Sequence, residues 1–229
     1  MKRHYPKIEA KTWRWILALV LAIGSFYGVS FLFYALKVKN EIIYALAISI
    51  LCLLSLLVVD KKFIKKIFLP IKMKDLLYII IGLGFSIVAV IISAIAVERL
   101  GIKGATNPIF DVLTPDNFKS FFVSTTIQFI AEEIIFIIPF LFVINKMKTE
   151  NNILKTIFAL LLSSVIFGAM HLSTYDFNLL QAVLIISIIR TGLSLSYVLS
   201  KNLSVTYIIH IIYDWSLIII YLAARQMIQ

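Results

Sequence analysis

Charge is scarce in this chain. Asp, Glu, Lys and Arg make up 15% of its 229 residues, whereas 61% are hydrophobic. Soluble domains carry about a quarter charged residues, so an ordinary water-soluble domain is excluded. A mean hydropathy of +0.99 excludes intrinsic disorder as well. Cysteine is almost missing. Cys52 is alone and sits inside an apolar run, so no disulfide framework can form. No Cys/His cluster has the spacing of a structural zinc site. There is no internal repeat, no low-complexity tract and no polar stretch long enough for a separate soluble domain. The apolar stretches also lack strict in/out alternation, which rules out a closed membrane β-barrel.

What the chain does have is seven apolar segments, at about 13–36, 42–59, 76–97, 118–144, 153–171, 179–199 and 203–224. Each is close to the ~20 residues a helix needs to cross about 30 Å of hydrocarbon. The expected fold is all-α: a polytopic transmembrane helix bundle of about seven helices, with six to eight allowed by length. The first segment is too long and too aromatic for a cleaved signal peptide. Residues 1–229 read as one integral membrane domain, and 101–117, with two glycines and two prolines, as a loop.

The net charge of +10 raises the question of nucleic acid. The basic residues, however, lie between apolar runs rather than along one face, so no nucleic-acid partner is expected and the lipid bilayer is. The N-terminal tail (Lys2, Arg3, Lys7, Lys11, Arg14), the second loop (Lys61, Lys62, Lys65, Lys66, Lys72, Lys74), the fourth loop (Lys146, Lys148, Lys155) and Lys201 place fifteen Lys and Arg on one side. The other side has six: Lys37, Lys39, Arg99, Lys103, Lys119 and Arg225. The richer side is expected to face the cytoplasm, which puts the N-terminus inside and, after seven crossings, the C-terminus outside. The Ile- and Lys-rich composition suits the cytoplasmic membrane of an AT-rich bacterium.

No ionisable residue stands mid-span in residues 1–97; all the intramembrane polarity falls in 118–224. The first 117 residues therefore read as scaffold helices and 118–224 as the half that carries chemistry. In QFIAEEIIFIIPF, Glu132 and Glu133 lie near a span centre, where an acidic residue costs ~2.5–3.5 kcal/mol. One protonated, hydrogen-bonded carboxyl would be enough for packing; two ask for more. Neighbouring helical positions lie about 100° apart, so one carboxylate can face a reaction centre while the other braces it. The fifth segment ends in SSVIFGAMHLS, with Phe167 four residues before His171 and two small residues, Gly168 and Ala169, between them. In the last segment His210 and Asp214 are at i and i+4 and share a face. That spacing suits a structural hydrogen bond, two ligands of one metal, or two groups around a substrate carbonyl. Arg190 is the one basic residue well inside a span. Intramembrane ionisable residues usually face the bundle interior and mark function.

Glu132-Glu133, then Phe167 to His171, then His210 to Asp214 resembles the CPBP intramembrane proteases in motif order and spacing. That family includes the CAAX prenyl proteases and the bacteriocin-processing or self-immunity (Abi) proteins. The resemblance covers about 118–220. It implies an intramembrane endopeptidase of membrane-bound or amphipathic peptides, such as pheromone or bacteriocin precursors or lipid-anchored tails. It further implies that Glu132 and His171 activate water while His210 and residue 214 stabilise the oxyanion. Catalytic candidates are thus Glu132, Glu133, His171, His210 and Asp214, with Phe167 and Arg190 in support. The family pattern EExxxR has Ile137 at its Arg position here, and Asp214 stands where Asn is common. An ionised aspartate cannot donate to an oxyanion, so Asp214 must be protonated, orient His210 or bind a cation. The expectation is no cofactor, or one divalent ion held by Glu132, His171, His210 and Asp214, a set that suits zinc.

Two other functions compete: a non-proteolytic immunity or scaffold protein, favoured by Ile137, and a small proton-coupled transporter. Two geometric expectations complete the reading. Arg190 should pair with Glu133 in place of the missing Arg at 137. His171 and His210, judged from span centres, should differ in depth by on the order of 14 Å.

Overall fold

The computed structural model describes residues 3–105, 107–114 and 117–228. Among these there is no β-strand, and seven helices are long and apolar enough to cross a membrane. The protein is a multi-pass membrane protein. In chain order the helices are α1 (Thr12–Ala35), α2 (Glu41–Ser55), a short amphipathic α3 (Phe63–Ile67), α4 (Met73–Leu100), the four-residue α5 (Ile109–Val112), α6 (Phe118–Lys146), α7 (Asn152–Met170), α8 (Ile186–Ser200) and α9 (Leu203–Ile228). A π-helical stretch, Leu180–Ile185, runs directly into α8, so that Leu180–Ser200 makes one span.

The ends are set by local chemistry. Asn40 caps α2 by accepting from the Ile43 amide, and Asn151 caps α7 by accepting from Leu154. Gly101 ends α4 at φ +59°, a left-handed turn that a Cβ would strain. At the α8–α9 turn the fully buried Asn202 exchanges two hydrogen bonds with the Leu69 backbone, its Oδ1 accepting from the amide at 2.9 Å and its Nδ2 donating to the carbonyl at 3.0 Å.

Helix α6 is the central pillar. It packs against α1, α2, α7 and α9, and from Ala131 to Leu141 nearly every side chain is buried. Pro139 interrupts its ladder, since it has no amide to give to the Ile135 carbonyl. On the other side α4 lies along α8, where Gly192 meets the Phe85 backbone and Gly82 meets Ile209 and Ser196. Small residues at that contact let the two backbones approach. Side chains such as Val20, Ile80 and Ile157 point outward from α1, α4 and α7 and present an apolar surface to lipid.

Two segments hold more structure than their composition suggests. The N-terminal tail, expected only as a cluster of charges, is folded onto the end of the bundle. Arg3 forms a two-pronged ion pair with the buried Asp75, at 2.6 and 2.9 Å. Asn145 accepts from the Ile8 amide and donates to the Pro6 carbonyl. In the 101–117 connection, expected as a loop, the described residues include α5, which leans on α9 through a stack of Phe110 on Tyr221 with centroids 4.1 Å apart.

Candidate active site

The two adjacent glutamates of α6 point in different directions, as a 100° step requires. Glu133 is turned into the packed interior, with no exposed side-chain surface. Arg190 of α8 reaches it with both terminal nitrogens, Nη1 to Oε1 at 2.7 Å and Nη2 to Oε2 at 2.8 Å. This forked geometry is the strong form of a carboxylate–guanidinium pair. The guanidinium is also enclosed between the rings of Phe136 and Phe167, at 4.4 and 4.6 Å. Ile137, one turn beyond Glu133, is fully buried among apolar neighbours. The cation that the motif's missing arginine would have supplied comes from α8 instead.

His210 stands between three carboxyl groups. Its Nδ1 lies 2.8 Å from Glu133 Oε1, its Nε2 2.9 Å from Asp214 Oδ2 and 3.7 Å from Glu132 Oε2. Its ring stacks on Phe129 with centroids 4.4 Å apart. Ionised carboxylates only accept hydrogen bonds. The two short contacts therefore require either an imidazolium with both nitrogens protonated or a proton on Asp214. Asp214 contacts the His210 ring at Nε2, as a role in orienting that histidine requires.

Glu132 keeps part of its carboxylate accessible and is braced by Gln128, whose Nε2 donates to Oε1 at 3.2 Å. His171 caps the end of α7, with its ring folded back so that Nδ1 lies 2.9 Å from the Phe167 carbonyl. A carbonyl cannot donate, so Nδ1 carries the hydrogen, and in the neutral ring Nε2 is the acceptor. Glu132, His171, His210 and Asp214 all line one cavity of about 350 Å³, with Tyr175 and Tyr213 on its wall. His171, expected near the outer end of its span, and His210, expected on the inner side of its own, both line this one cavity, the His171 ring folded back along α7 toward the Phe167 carbonyl.

A second cavity of about 360 Å³ meets the first at Gln128, Glu132, Phe167 and His171. Its far wall is Phe26, Tyr27, Ser30 and Tyr44, from α1 and α2. Nothing in the sequence pointed to these four. Gln128, by contrast, carried a signal: it is a polar residue mid-span, one turn before Glu132 and on the same face.

As placed, these residues do not fit a metal ion. His210 Nδ1 and Nε2 each lie within hydrogen-bond distance of a carboxyl oxygen, and as an imidazolium the ring has no lone pair for a metal. Among the described residues no three His, Cys, Asp or Glu side chains are grouped to hold one. His4 is exposed on the tail, away from the site.

Residues 114–216, somewhat under half of the chain, match the family model of the type II CAAX prenyl endopeptidase Rce1-like proteins. This match supports the likeness of the motif-bearing segment to the CPBP/CAAX proteases. No curated protein and no solved structure matches the chain significantly.

Proposed function

We propose that this CAAX-protease-like membrane protein is an endopeptidase that hydrolyses membrane-associated peptides without a metal, with Glu132 as the general base. The observation that carries the reading is the arrangement of one accessible carboxylate, Glu132, beside two histidines on a shared cavity within the bundle. A carboxylate in so apolar a setting is a useful proton acceptor.

Water held between Glu132 and His171 gives a proton to Glu132 as its oxygen attacks the scissile carbonyl. The negative charge that develops on the carbonyl oxygen is met by the Nε2–H of His210, which Glu133 and Arg190 hold in place from behind. Collapse of the tetrahedral species breaks the C–N bond, and the proton on Glu132 passes to the leaving amine. In this scheme Glu133 and Arg190 are positioning residues, and Asp214 fixes the His210 ring until the oxyanion competes for its proton. Preorganised donors of this kind contribute about 3–4 kcal/mol of transition-state stabilisation.

The immunity or scaffold reading drew its support from Ile137. With Arg190 supplying the cation, that support is gone. The test is digestion of a defined peptide library by the purified protein in lipid nanodiscs, with EDTA present. Wild type should cleave, and Glu132→Gln, which keeps shape and hydrogen bonding, should lose at least 100-fold in rate at normal membrane levels. Equal cleavage by Glu132→Gln would overturn the assignment of the base, and loss of cleavage in EDTA would overturn the metal-free scheme.

A further inference from the structure

The cavity has one open end and one closed end, and the two ends differ in charge. Its walls are the first half of α6 (Thr125 to Glu132), the C-terminal end of α7 and the outer part of α9 (Leu217, Ile218), with Asn107, Phe110 and Tyr175 of the neighbouring segments at its rim. All of these lie at the end of the bundle away from the N-terminal tail.

Toward the tail the bundle interior is packed, and a surface groove of about 590 Å³ lies between residues 7–11 and 144–146. Below Glu133 and Arg190 comes a run of buried rings: Phe136 on Phe140 at 5.6 Å, Phe140 on Tyr197 at 5.3 Å, and Tyr5 of the tail on Phe140 at 5.5 Å. Arg3, tied to Asp75 and to the Pro70 carbonyl, closes the end. Among the described residues these packed rings leave no peptide-sized path through this half of the bundle.

The closed end is also the lysine-rich end. The tail, the α2–α4 connection with Lys61, Lys62, Lys65 and Lys66, and the α6–α7 connection all lie there. The open end carries six Lys and Arg (Lys37, Lys39, Arg99, Lys103, Lys119 and Arg225) against fifteen at the closed end. A surplus of Lys and Arg in short loops marks the cytoplasmic side.

We infer that the site is entered from the extracytoplasmic face, so that its substrates are exported peptides presented at the outer membrane surface rather than lipid-modified tails of cytosolic proteins. This rests on the peptidase reading for the word substrate but not for the direction of the mouth. The α1–α2 end, with Tyr27 and Ser30 exposed at the second cavity, then opens toward the outer leaflet, where an amphipathic peptide would lie.

Two measurements separate the parts. Ser173→Cys, at the open end, and Lys61→Cys, at the closed end, are both exposed positions, and the one native cysteine, Cys52, is fully buried, so wild type serves as the unlabelled blank. With a membrane-impermeant maleimide on intact spheroplasts, Ser173→Cys should label as fully as after lysis, and Lys61→Cys only after lysis. The reverse pattern overturns the proposal. A charged, membrane-impermeant reporter peptide from the cleaved library is then supplied to right-side-out and inside-out vesicles. Cleavage at least tenfold faster in right-side-out vesicles is expected, and faster cleavage in inside-out vesicles overturns it. Absence of cleavage in both, with the labelling as expected, would count against the peptidase reading and leave the outward mouth standing.

Discussion

At the scale of single residues, the helical period determined what could be read in advance. Adjacent glutamates must diverge and His210 and Asp214 must share a face, so the bracing of one carboxylate and the contact between that histidine and aspartate were legible. So was the pairing of Arg190 with Glu133, because a lone guanidinium in lipid requires an anion. The fold of the His171 ring onto the Phe167 carbonyl was not legible, since it depends on local geometry at a helix end. The relocated cation yields a prediction. Removing one partner of a buried pair costs about 3–5 kcal/mol, since the other charge is left uncompensated. Arg190→Leu should therefore lower both membrane yield and activity. Arg190→Lys, which keeps charge but loses the fork onto both Glu133 oxygens, should fall between. Ile137→Arg added to Arg190→Leu should recover activity, because position 137 is one turn from Glu133 on the same face. Wild-type activity in Arg190→Leu would show that Glu133 needs no guanidinium.

Among elements, the contact that sets the site is that of α7 with the π-helical entry to α8. A Cβ on Gly168 would lie 2.5 Å from the Ala182 carbonyl oxygen and from Ser187 Oγ. Both flanks of that contact carry chemistry: His171 is one turn on from Gly168, and Arg190 is one turn on from Ser187. Wide π turns recur at functional sites, and here the turn's own carbonyl is what Gly168 accommodates. Gly168→Ala should force the two elements apart. Overpacking costs about 1–3 kcal/mol, which for a chain of this size lowers Tm by roughly 2–4 °C per kcal/mol. Activity should fall with it. Gly24→Ala, in α1 with nothing within 4 Å of the added Cβ, should leave both unchanged; equal effects in the two variants, read by thermal unfolding in detergent, would dismiss the packing argument. The seven spans were legible within a few residues because length and hydropathy alone define them. The wall that α1 and α2 give to the second cavity was not, because lateral packing between helices leaves no period in the sequence.

Taken as a whole, the molecule is a bundle sealed at one end by its own first residues, and composition could not show this, since Arg3 and Lys7 read equally well as free topological charges. The seal is pH-sensitive in a definite direction. Burial pushes the Tyr5 phenol up to about 12, from about 10 in an unfolded chain. A raised value in the folded state means that the contribution of Tyr5 is fully present below pH ~10 and is lost as pH rises through about 12. A spin label at His4→Cys should gain mobility across that window in wild type and stay immobile when Tyr5→Phe is added; the same transition in both would assign the release to another group. The tail's partners also carry a meaning for synthesis. Asp75, Asn145, Tyr197 and the Ser200 carbonyl emerge long after Arg3 and Tyr5 have been made. The tail thus finds its place only after α8 has been made, and a docked tail reports that the chain has been inserted through that span.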